Sequence, residues 1–319
     1  MNKSFEMLVE IAKHYYVDSM SQSEIAELYK ISRPTVANML KECKEKGIVE
    51  IRINDKSPFS SEIGQLLMKK YGMETVCVVS QEDDYALTLY KTCLETANFL
   101  SSLLANNLKI GISWGTALYH TIRQLPKLGL MDCEVIQLMG GLGAAALYYD
   151  GAELARILSD KLCARFFPVL SPVLVQSREL RDALLKEPGI KETLEKAGSL
   201  DLALVGLSSD LPEDSALVKA GFLSPEEARQ VYGEGSCGHL CGYHYDAEGK
   251  FMSSPINNRV VGINPDEFLR VPRRMGIACG KQKARAIHAA LKGRLITDLF
   301  TDELTALQII SFEQSTTPL

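Results

Sequence analysis

The sequence lacks any long apolar run and any excess of basic charge. Its 319 residues contain no stretch of about 18 apolar residues without charge, so no membrane-spanning helix is expected. A net charge of -5 excludes a basic field over the whole molecule, so nucleic acid would need a local basic patch. The N-terminal segment mixes acids and bases and lacks the apolar core of a signal peptide. We therefore expect a cytoplasmic protein.

Compositional extremes and clear cysteine pairings are also missing. The chain is 46% hydrophobic and 24% charged, which is ordinary for a globular protein and excludes disordered, collagenous and coiled-coil chains. Its eight cysteines are mostly scattered through hydrophobic stretches, a pattern typical of reduced core residues rather than disulfides. The length predicts about two domains.

The first of these, residues 1–54, is predicted to contain three short helices and a strand. Ser21 and Glu24 have the spacing of a capping box, which opens a helix that ends near Tyr29. Ser32 caps the next helix, with Pro34 in its first turn. Residues 48–53 alternate as a strand, and the turn-rich residues 54–61 mark the boundary with a second domain, residues 55–319.

Two capped helices joined by a short turn are typical of a helix-turn-helix, whose second helix enters the major groove of DNA. Residues 30–46 hold five basic and two acidic side chains, a local charge of +3. The alternative is a helical hairpin with a solvated charged face. We predict DNA binding through side chains at the starts of the two helices and along the second: Ser21, Gln22, Ser32, Arg33, Pro34, Thr35, Asn38 and Lys41.

Beyond residue 61, short apolar runs alternate with longer helical patterns. This alternation predicts an α/β domain with a Rossmann-like parallel sheet covered on both faces. The predicted strands are residues 75–79, 108–112, 134–138, 203–207, 259–263, 275–278 and 295–300.

Glycine-rich loops follow four of these strands, at residues 111–116, 140–143, 206–209 and 276–283. In open α/β sheets that edge is where ligands bind, and helices beginning there offer free amides to an anion. Lys281 and Lys283 could neutralise a phosphate. Tight-turn packing is the alternative for each loop, and none matches a Walker A or dinucleotide fingerprint. Together the loops predict a site for a phosphorylated small molecule.

The segment from Cys237 to His244 holds two thiols and two imidazoles. Structural zinc ligands usually come as two separated pairs, and no second pair follows this one. We therefore predict no metal, and instead a glycine-rich loop that enters a strand with His239 near the pocket.

The order and spacing of several blocks resemble the SorC family of sugar-binding regulators over essentially the full length. They are residues 19–53, then GISWGTAL, EVIQLMGGLG, LDLALVGLSS, GSCGHLCGYHYDAEGK and IACGKQKARAIHAALKGRLITDLFTDELTA. The resemblance implies a winged or homeodomain-like helix-turn-helix joined to an effector domain similar to sugar-phosphate isomerases and deaminases. It also implies operator DNA as a partner, a phosphorylated sugar as effector with no other cofactor, and a tetramer.

The glycine loops and the resemblance together give the predicted effector site. Met139 stands where relatives often have a basic residue, so no covalent imine is expected there. His239 stands where an acidic residue is usual, and Ser209 replaces an arginine found in some relatives. The predicted residues are Gly111, Ser113, Trp114, Gly115, Thr116, Met139, Gly140, Gly141, Gly206, Ser208, Ser209, His239, Gly280, Lys281 and Lys283.

The rival interpretation is a sugar-phosphate isomerase or deaminase on the same fold. Such an enzyme needs a general acid and base placed near the sugar. The candidates Asp201, Asp246 and His239 form no recognisable pair, and a helix-turn-helix has no purpose in such an enzyme. We therefore predict no enzyme, but a transcriptional regulator of carbohydrate metabolism.

Overall fold

A computed structural model describes residues 5–49, 58–143 and 149–314. The chain divides into two compact units, Met1–Asp55 and Lys56–Leu319. Each unit has its own apolar core.

The smaller unit contains helices α1 (Phe5–Tyr16), α2 (Gln22–Tyr29) and α3 (Arg33–Glu45). The expected capping box forms, because Ser21 Oγ accepts from the Glu24 amide while the Glu24 carboxylate accepts from the Ser21 amide at 2.7 Å. The left-handed backbone of Lys30 ends α2. Ser32 then caps α3 through the Thr35 amide. The predicted strand at residues 48–53 falls largely outside the described residues.

An apolar core joins these three helices, as the helical spacing predicts. Leu28 in α2 is an exception among the apolar residues, because its side chain is 55% exposed. The buried stripe of α2 runs through Ile25 and Ala26 instead. The buried residues are Leu8, Ile11, Ala12, Ile25, Ala26, Val36, Met39, Leu40 and Cys43.

A seven-stranded, wholly parallel sheet organises the larger unit. Its strands are β1 (Thr75–Val79), β2 (Lys109–Ile112), β3 (Glu134–Gln137), β4 (Arg165–Phe167), β5 (Leu202–Gly206), β8 (Arg273–Ile277) and β9 (Asp298–Asp302). A separate antiparallel hairpin joins β6 (Gly238–Leu240) to β7 (Tyr243–Tyr245).

Eleven α-helices of the described residues belong to this unit. They are α4 (Glu62–Tyr71), α5 (Tyr85–Leu103), α6 (Thr116–Gln124), α7 (Gly151–Leu162), α8 (Arg178–Leu184), α9 (Pro188–Ala197), α10 (Ala216–Lys219), α11 (Pro225–Gly233), α12 (Pro265–Arg270), α13 (Ala284–Lys292) and α14 (Glu303–Gln314).

The strand order is β1-β9-β8-β5-β2-β3-β4. From β2 the chain builds outward through β3 and β4, then returns to place β5 on the other side of β2 and β8 beyond it. Such a reversal opens a crevice at the carboxyl ends of the central strands, where open α/β sheets bind ligands.

Alternate side chains of the strands enter two different apolar clusters. In β5, for example, Ala203 and Val205 belong to one cluster, and Leu202 and Leu204 to the other. Because successive strand residues point to opposite faces, both faces of the sheet are covered, which confirms the predicted fold class.

The predicted strand at residues 259–263 is wrong. A short 3-10 helix, Asn257–Arg259, occupies its start. Val260 and Gly262 then form isolated antiparallel bridges to two different segments, at Leu174 and Met139. Neither neighbour continues the pairing, so no regular ladder develops. The short strands β4 and β6 were not expected as separate elements.

None of the eight cysteines forms a disulfide in this structure, and all except Cys163 are buried. Within the described residues, no helix combines the length and the apolar character needed to cross a bilayer.

Candidate functional site

A cavity of about 310 Å³ lies at the carboxyl edge of the sheet. The loops after β2, β5 and β8 line it, together with the start of α5 and part of β6. The lining residues are Tyr85, Leu89, Ser113, Trp114, Gly115, Thr116, Ala117, Leu118, Tyr149, Gly206, Leu207, Ser208, Ser209, Asp214, Ala216, Lys219, His239, Cys241, Ile277, Gln282 and Lys283.

Helix α6 begins in this cavity without a side-chain cap. Gly115, at its N-cap, has φ +134°, a backbone conformation that residues with side chains rarely adopt. The amides of Thr116, Ala117 and Leu118 donate no hydrogen bond within the described residues. The first turn of a helix leaves such donors free for an anion.

Hydrogen bonds hold the cavity loops to one another. The Gly206 amide donates to Ser113 Oγ at 3.3 Å, joining the loops after β5 and β2. Ser208 and His239 exchange backbone hydrogen bonds of 3.2 and 3.1 Å. The β6–β7 hairpin is therefore attached directly to the cavity wall.

Lys283 precedes α13 and is positioned by a buried polar anchor. The Gly280 amide donates to Asp302 Oδ2 at 2.7 Å and to Thr305 Oγ1 at 2.9 Å. The ammonium of Lys283 itself makes no hydrogen bond or ion pair with any described residue. Burial is the main cause that lowers the pKa of Lys283, and the nearby Lys219 acts in the same direction.

His239 is 2% exposed, and its Nε2 atom has no hydrogen-bond partner among the described residues. The ring lies between Trp114, with centroids 6.3 Å apart, and His244, at 5.4 Å. Burial holds the pKa of His239 well below its usual value, and the neighbouring His244 and Lys283 lower it further. The imidazole is therefore uncharged at neutral pH.

A buried polar network lies beside His239. His244 Nε2 is 3.6 Å from Asp210 Oδ1, and the Ser236 hydroxyl donates to the same carboxylate. Burial raises the pKa of Asp210, an effect that His244 and Ser236 oppose. Asn257 accepts from the His244 amide at 2.8 Å.

The structure brings nine of the predicted effector residues to the cavity and leaves six elsewhere. The nine are Ser113, Trp114, Gly115, Thr116, Gly206, Ser208, Ser209, His239 and Lys283. The six predicted residues that are not among the described residues lining the cavity are Gly111, Met139, Gly140, Gly141, Gly280 and Lys281.

Packing explains why these six lie elsewhere. Met139 is fully buried and bridges to Gly262, and a Cβ on Gly140 would fall 2.3 Å from the Pro172 carbonyl oxygen. Gly141 pairs with Pro172, and Gly111 lies against Leu138 and Leu200. Gly280 shapes the loop, whereas Lys281 is exposed.

Twelve lining residues were not predicted. Most lie outside the glycine-rich loops, whereas Leu207, Ile277 and Gln282 lie within them. Tyr85 and Leu89 begin the helix after β1, whose carboxyl end lies at the same edge of the sheet. The Tyr85 hydroxyl donates to the Cys279 carbonyl at 3.3 Å, and burial raises its pKa to about 12. Because Tyr85 and Leu89 follow a predicted strand at this edge of the sheet, the sequence offered a signal from which they could have been predicted. The others are Ala117, Leu118, Tyr149, Leu207, Asp214, Ala216, Lys219, Cys241, Ile277 and Gln282.

The predicted DNA-binding residues lie on α2 and α3 of the smaller unit or at their N-caps. Arg33 and Asn38 are exposed, and Arg33 has no ion pair within the described residues. Lys41 is also exposed, 3.7 Å from Glu45. The oxygens of Ser21 and Ser32 serve as helix caps, and the Ser32 hydroxyl also shares a hydrogen bond of 2.8 Å with the Thr35 hydroxyl. Gln22, Pro34 and Thr35 occupy the first turns of α2 and α3.

The segment from Cys237 to His244 forms the hairpin that carries His239. Across the described ranges, no three His, Cys, Asp or Glu side chains are grouped so as to hold a metal ion.

A domain model described as "Putative sugar-binding domain" matches residues 56–311, and a winged helix-turn-helix DNA-binding model matches residues 18–50. The chain belongs to the SorC family of sugar-binding transcriptional regulators. Members of this SorC family pair a DNA-binding helix-turn-helix with a ligand-binding domain, and this chain is a transcriptional regulator of that organisation.

Relatives match along nearly the whole chain. The deoxyribonucleoside regulator of Bacillus subtilis (strain 168) is 28% identical over 309 residues, 96% of this chain and 97% of that protein. The transcriptional regulator LsrR of Escherichia coli (strain K12) is 28% identical over 307 residues, 96% of this chain and 94% of its own.

Two solved structures are similar to this chain in fold. The full-length sorbitol operon regulator SorC of Klebsiella pneumoniae superposes with a TM-score of 0.84 at 26% identity, covering 97% of this chain and 100% of its own. A DeoR family regulator of Listeria monocytogenes gives 0.72 at 27% identity, covering 78% and 98%.

Proposed function

We propose that this SorC-family regulator controls carbohydrate genes in response to a phosphorylated sugar bound in the cavity, and that binding changes its affinity for operator DNA. One observation carries the proposal. Among the described residues, the ammonium of Lys283 in the cavity has no hydrogen-bond or ion-pair partner, and α6 starts in the same cavity without a side-chain cap.

Charge supports an anionic ligand. Lys283 has no carboxylate partner in the part of the chain that the structure describes, whereas the other lysine of the described wall, Lys219, lies 3.8 Å from Asp214. A buried ammonium without a partner can donate a charge-assisted hydrogen bond to a phosphate oxygen, which compensates for its lost hydration. The three free amides at the start of α6 add donors that favour the same charge.

The remaining wall supports a small hydroxylated ligand. Trp114, Tyr85 and Tyr149 supply aromatic surface, and Ser208 and Thr116 supply hydroxyl groups. At about 310 Å³ the cavity is at the lower end of the range typical of small-molecule pockets. The names of two relatives, a deoxyribonucleoside regulator and a sorbitol operon regulator, are consistent with a carbohydrate ligand.

Operator control requires the effector to bind two global states of the regulator with different affinity. We propose a tetramer in which the spacing of the helix-turn-helix units changes with effector occupancy. Half-sites on DNA accept only particular spacings, so such a change alters affinity without altering the DNA contacts themselves.

The proposed function is binding without turnover. An isomerase or deaminase needs a general acid and base that act together on the sugar. In the described cavity wall no such pair is joined by a hydrogen bond, since His239 Nε2 has no partner and Asp214 lies beside Lys219. Asp210 is buried behind His244, away from the lining.

A thermal-shift screen of the full chain with free and phosphorylated sugars tests this proposal. At least one sugar phosphate should raise the melting temperature more than its unphosphorylated sugar and more than inorganic phosphate. The same compound should change gel-shift affinity for operator DNA at constant salt. If only unphosphorylated sugars bind, or if turnover of the bound compound is detected, the proposal is wrong.

A further inference from the structure

Two buried ionisable side chains, Asp210 and His244, face each other behind the cavity wall. Asp210 is 2% exposed and His244 is 1% exposed. His244 Nε2 lies 3.6 Å from Asp210 Oδ1, and this oxygen has no hydrogen-bond partner among the described residues. The other carboxylate oxygen of Asp210 accepts from the Ser236 hydroxyl. Neither Asp210 nor His244 belongs to the described lining of the cavity.

The hydrogen bonds of Asn257 show where one proton of the His244 ring lies. The side-chain nitrogen of Asn257 donates to the carbonyl oxygens of His244 at 2.9 Å and Met252 at 2.8 Å, which fixes the orientation of this amide. Its oxygen, Oδ1, therefore accepts from the His244 backbone amide at 2.8 Å and lies 3.3 Å from His244 Nδ1. Because an amide oxygen only accepts hydrogen bonds, Nδ1 carries a proton.

The other ring nitrogen then determines how many protons the pair of Asp210 and His244 holds. A neutral imidazole with its proton on Nδ1 has a lone pair on Nε2, which would face a carboxylate oxygen with no proton between them. Two buried acceptors in that arrangement repel each other and lose their hydration without compensation. One additional proton between Nε2 and Oδ1 removes this conflict, whichever of the two groups holds it. Burial, which raises the pKa of Asp210, favours the same protonated pair.

Three other ionisable side chains lie around the pair. Arg285 of α13 directs positive charge towards Asp210, but its guanidinium hydrogen bonds to two other side chains. The Tyr245 hydroxyl of β7 donates to a backbone carbonyl at 3.1 Å. The ring of His239 lies 5.4 Å from that of His244, centroid to centroid, and is uncharged. None of these three side chains is hydrogen bonded to the carboxylate of Asp210 or to the His244 ring in the part of the chain that the structure describes.

The pair connects two parts of the cavity wall. Asp210 directly follows Ser208 and Ser209, which line the cavity in the loop after β5. His244 lies on β7, and β7 pairs with β6, the strand that exchanges backbone hydrogen bonds with Ser208. A contact between Asp210 and His244 therefore attaches the loop after β5 to the β6–β7 hairpin. A ligand binds more tightly when the wall is already held in its binding conformation.

We propose that Asp210 is a positioning residue of the effector site, which holds the cavity wall in its binding conformation while a proton is shared between Asp210 Oδ1 and His244 Nε2. Effector affinity then falls as the pH rises, because loss of this proton leaves a buried carboxylate facing a lone pair. The inference rests on the proposed function, since it requires a sugar phosphate in the cavity.

Calorimetry on the full chain with ribose 5-phosphate, glucose 6-phosphate and fructose 6-phosphate tests the proposal. The titrations are made at about pH 7 and about pH 9, both above the second pKa of a phosphate monoester, which is about 6. For the compound that binds most tightly, the loss of affinity between the two pH values should be at least about five times larger in the wild type than in Asp210→Asn. An asparagine can accept from Ser236 and donate to His244 Nε2 without a titrating proton. Deprotonation of Lys283 is common to both proteins and cancels in this comparison.

Two further variants separate the shared proton from a general structural role. Asp210→Ala removes the contact at every pH and should bind the compound at least about five times more weakly than the wild type at neutral pH, whereas Asp210→Asn should stay within about twofold. Asp246→Asn is the matched control, because it makes the same chemical change in the turn after β7, outside the described cavity lining. It should keep the affinity and the pH profile of the wild type.

Nitrogen NMR of the five histidines tests the shared proton without any added ligand. In the wild type, Nδ1 of His244 should stay protonated over the same pH range, while the Nε2 resonance should shift as the proton leaves the pair. In Asp210→Asn the Nε2 resonance should not shift.

The proposal is overturned if the wild type and Asp210→Asn have the same pH profile of affinity. It is also overturned if Asp210→Asn binds as weakly as Asp210→Ala, or if Nδ1 of His244 carries no proton. Failure of the proposed function looks different, because then no sugar phosphate binds the wild type at either pH. The effect on affinity falls with it, and the NMR titration still shows whether Asp210 and His244 share a proton.

Discussion

Two glycine-rich loops at the same edge of the sheet have different roles, since one lines the cavity and the other is packed under neighbouring segments. The loop from Ser113 to Thr116 lines the cavity, and its glycine has open space around it. The loop from Gly140 to Gly143 is covered by residues 171–173 and 260–262, and its first glycine has no room for a side chain. Glycine is required in both, for backbone conformation in one and for close packing in the other.

The largest expected effect that tests this comparison of the two loops is a change in the free energy of unfolding. Gly140→Ala should reduce the free energy of unfolding by about 3 kcal/mol, because the new methyl group meets the backbone carbonyl of Pro172. Urea denaturation measures the change. Gly189→Ala in α9 is the control, since a methyl there meets nothing within 4 Å and should leave stability equal or slightly higher. If Gly140→Ala were as stable as the wild type, close packing would not be the reason for glycine in this loop.

Ligand affinity gives the next test, on the cavity side of the comparison. Lys283→Ala should weaken a phosphorylated effector about ten- to a hundredfold, because it removes a charge-assisted bond worth roughly 1.5–3 kcal/mol. Lys281→Ala is the matched control, since Lys281 is exposed and outside the lining. Calorimetry on both variants decides. Equal losses of effector affinity in the two variants would mean that the residues assigned to the cavity wall are wrong.

DNA binding extends the comparison to the smaller unit, where two of the predicted DNA-binding side chains, Arg33 and Lys41, lie on α3. Arg33→Ala should weaken operator binding by about 1–3 kcal/mol if Arg33 contacts a base. Lys41→Ala should weaken all sequences alike and flatten the salt dependence, as loss of a phosphate contact does. Gel shifts at several salt concentrations measure both. Wild-type affinity in both variants would contradict the placement of α3 as the recognition helix.

The smallest effect concerns pH. Because the pKa of His239 is lowered in the folded state, the unfolded chain binds a proton more readily than the folded chain. Stability is therefore retained above about pH 6.5, the ordinary histidine value, and declines below it by at most about 1.4 kcal/mol per pH unit.

In His239→Phe this decline should be shallower, as measured by urea denaturation at pH 5 to 7. Asp210 has a raised pKa and the opposite sign, but it is common to both proteins and cancels in the difference when its environment is unchanged. An identical slope in the variant would show that His239 does not carry the effect.

Local sequence signals predicted the smaller unit well. Caps at Ser21 and Ser32 and the spacing of apolar residues in α1 and α3 are short-range features that the structure confirms. The alternation of strands and helices likewise predicted the parallel sheet. The strand at residues 259–263 failed because its pairing depends on Leu174 and Met139, which are distant in sequence.

The cavity was predicted only in part for the same reason. A glycine after a strand indicates an edge of the sheet, but not whether another segment covers it. Met139 and Gly140 were covered by the segments that pair with them. Lys219 comes from α10, whose approach to the cavity depends on strand order, which no local pattern in the sequence fixes.

The chain has a single tryptophan, Trp114, and it lies in the cavity wall beside His239. Excitation at the red edge of the indole band, where tyrosine hardly absorbs, therefore produces emission from one site alone. A ligand that displaces water from that wall changes the surroundings of one fluorophore, with no contribution from the smaller unit. The protein thus contains its own optical reporter of occupancy, and titrations need no added label.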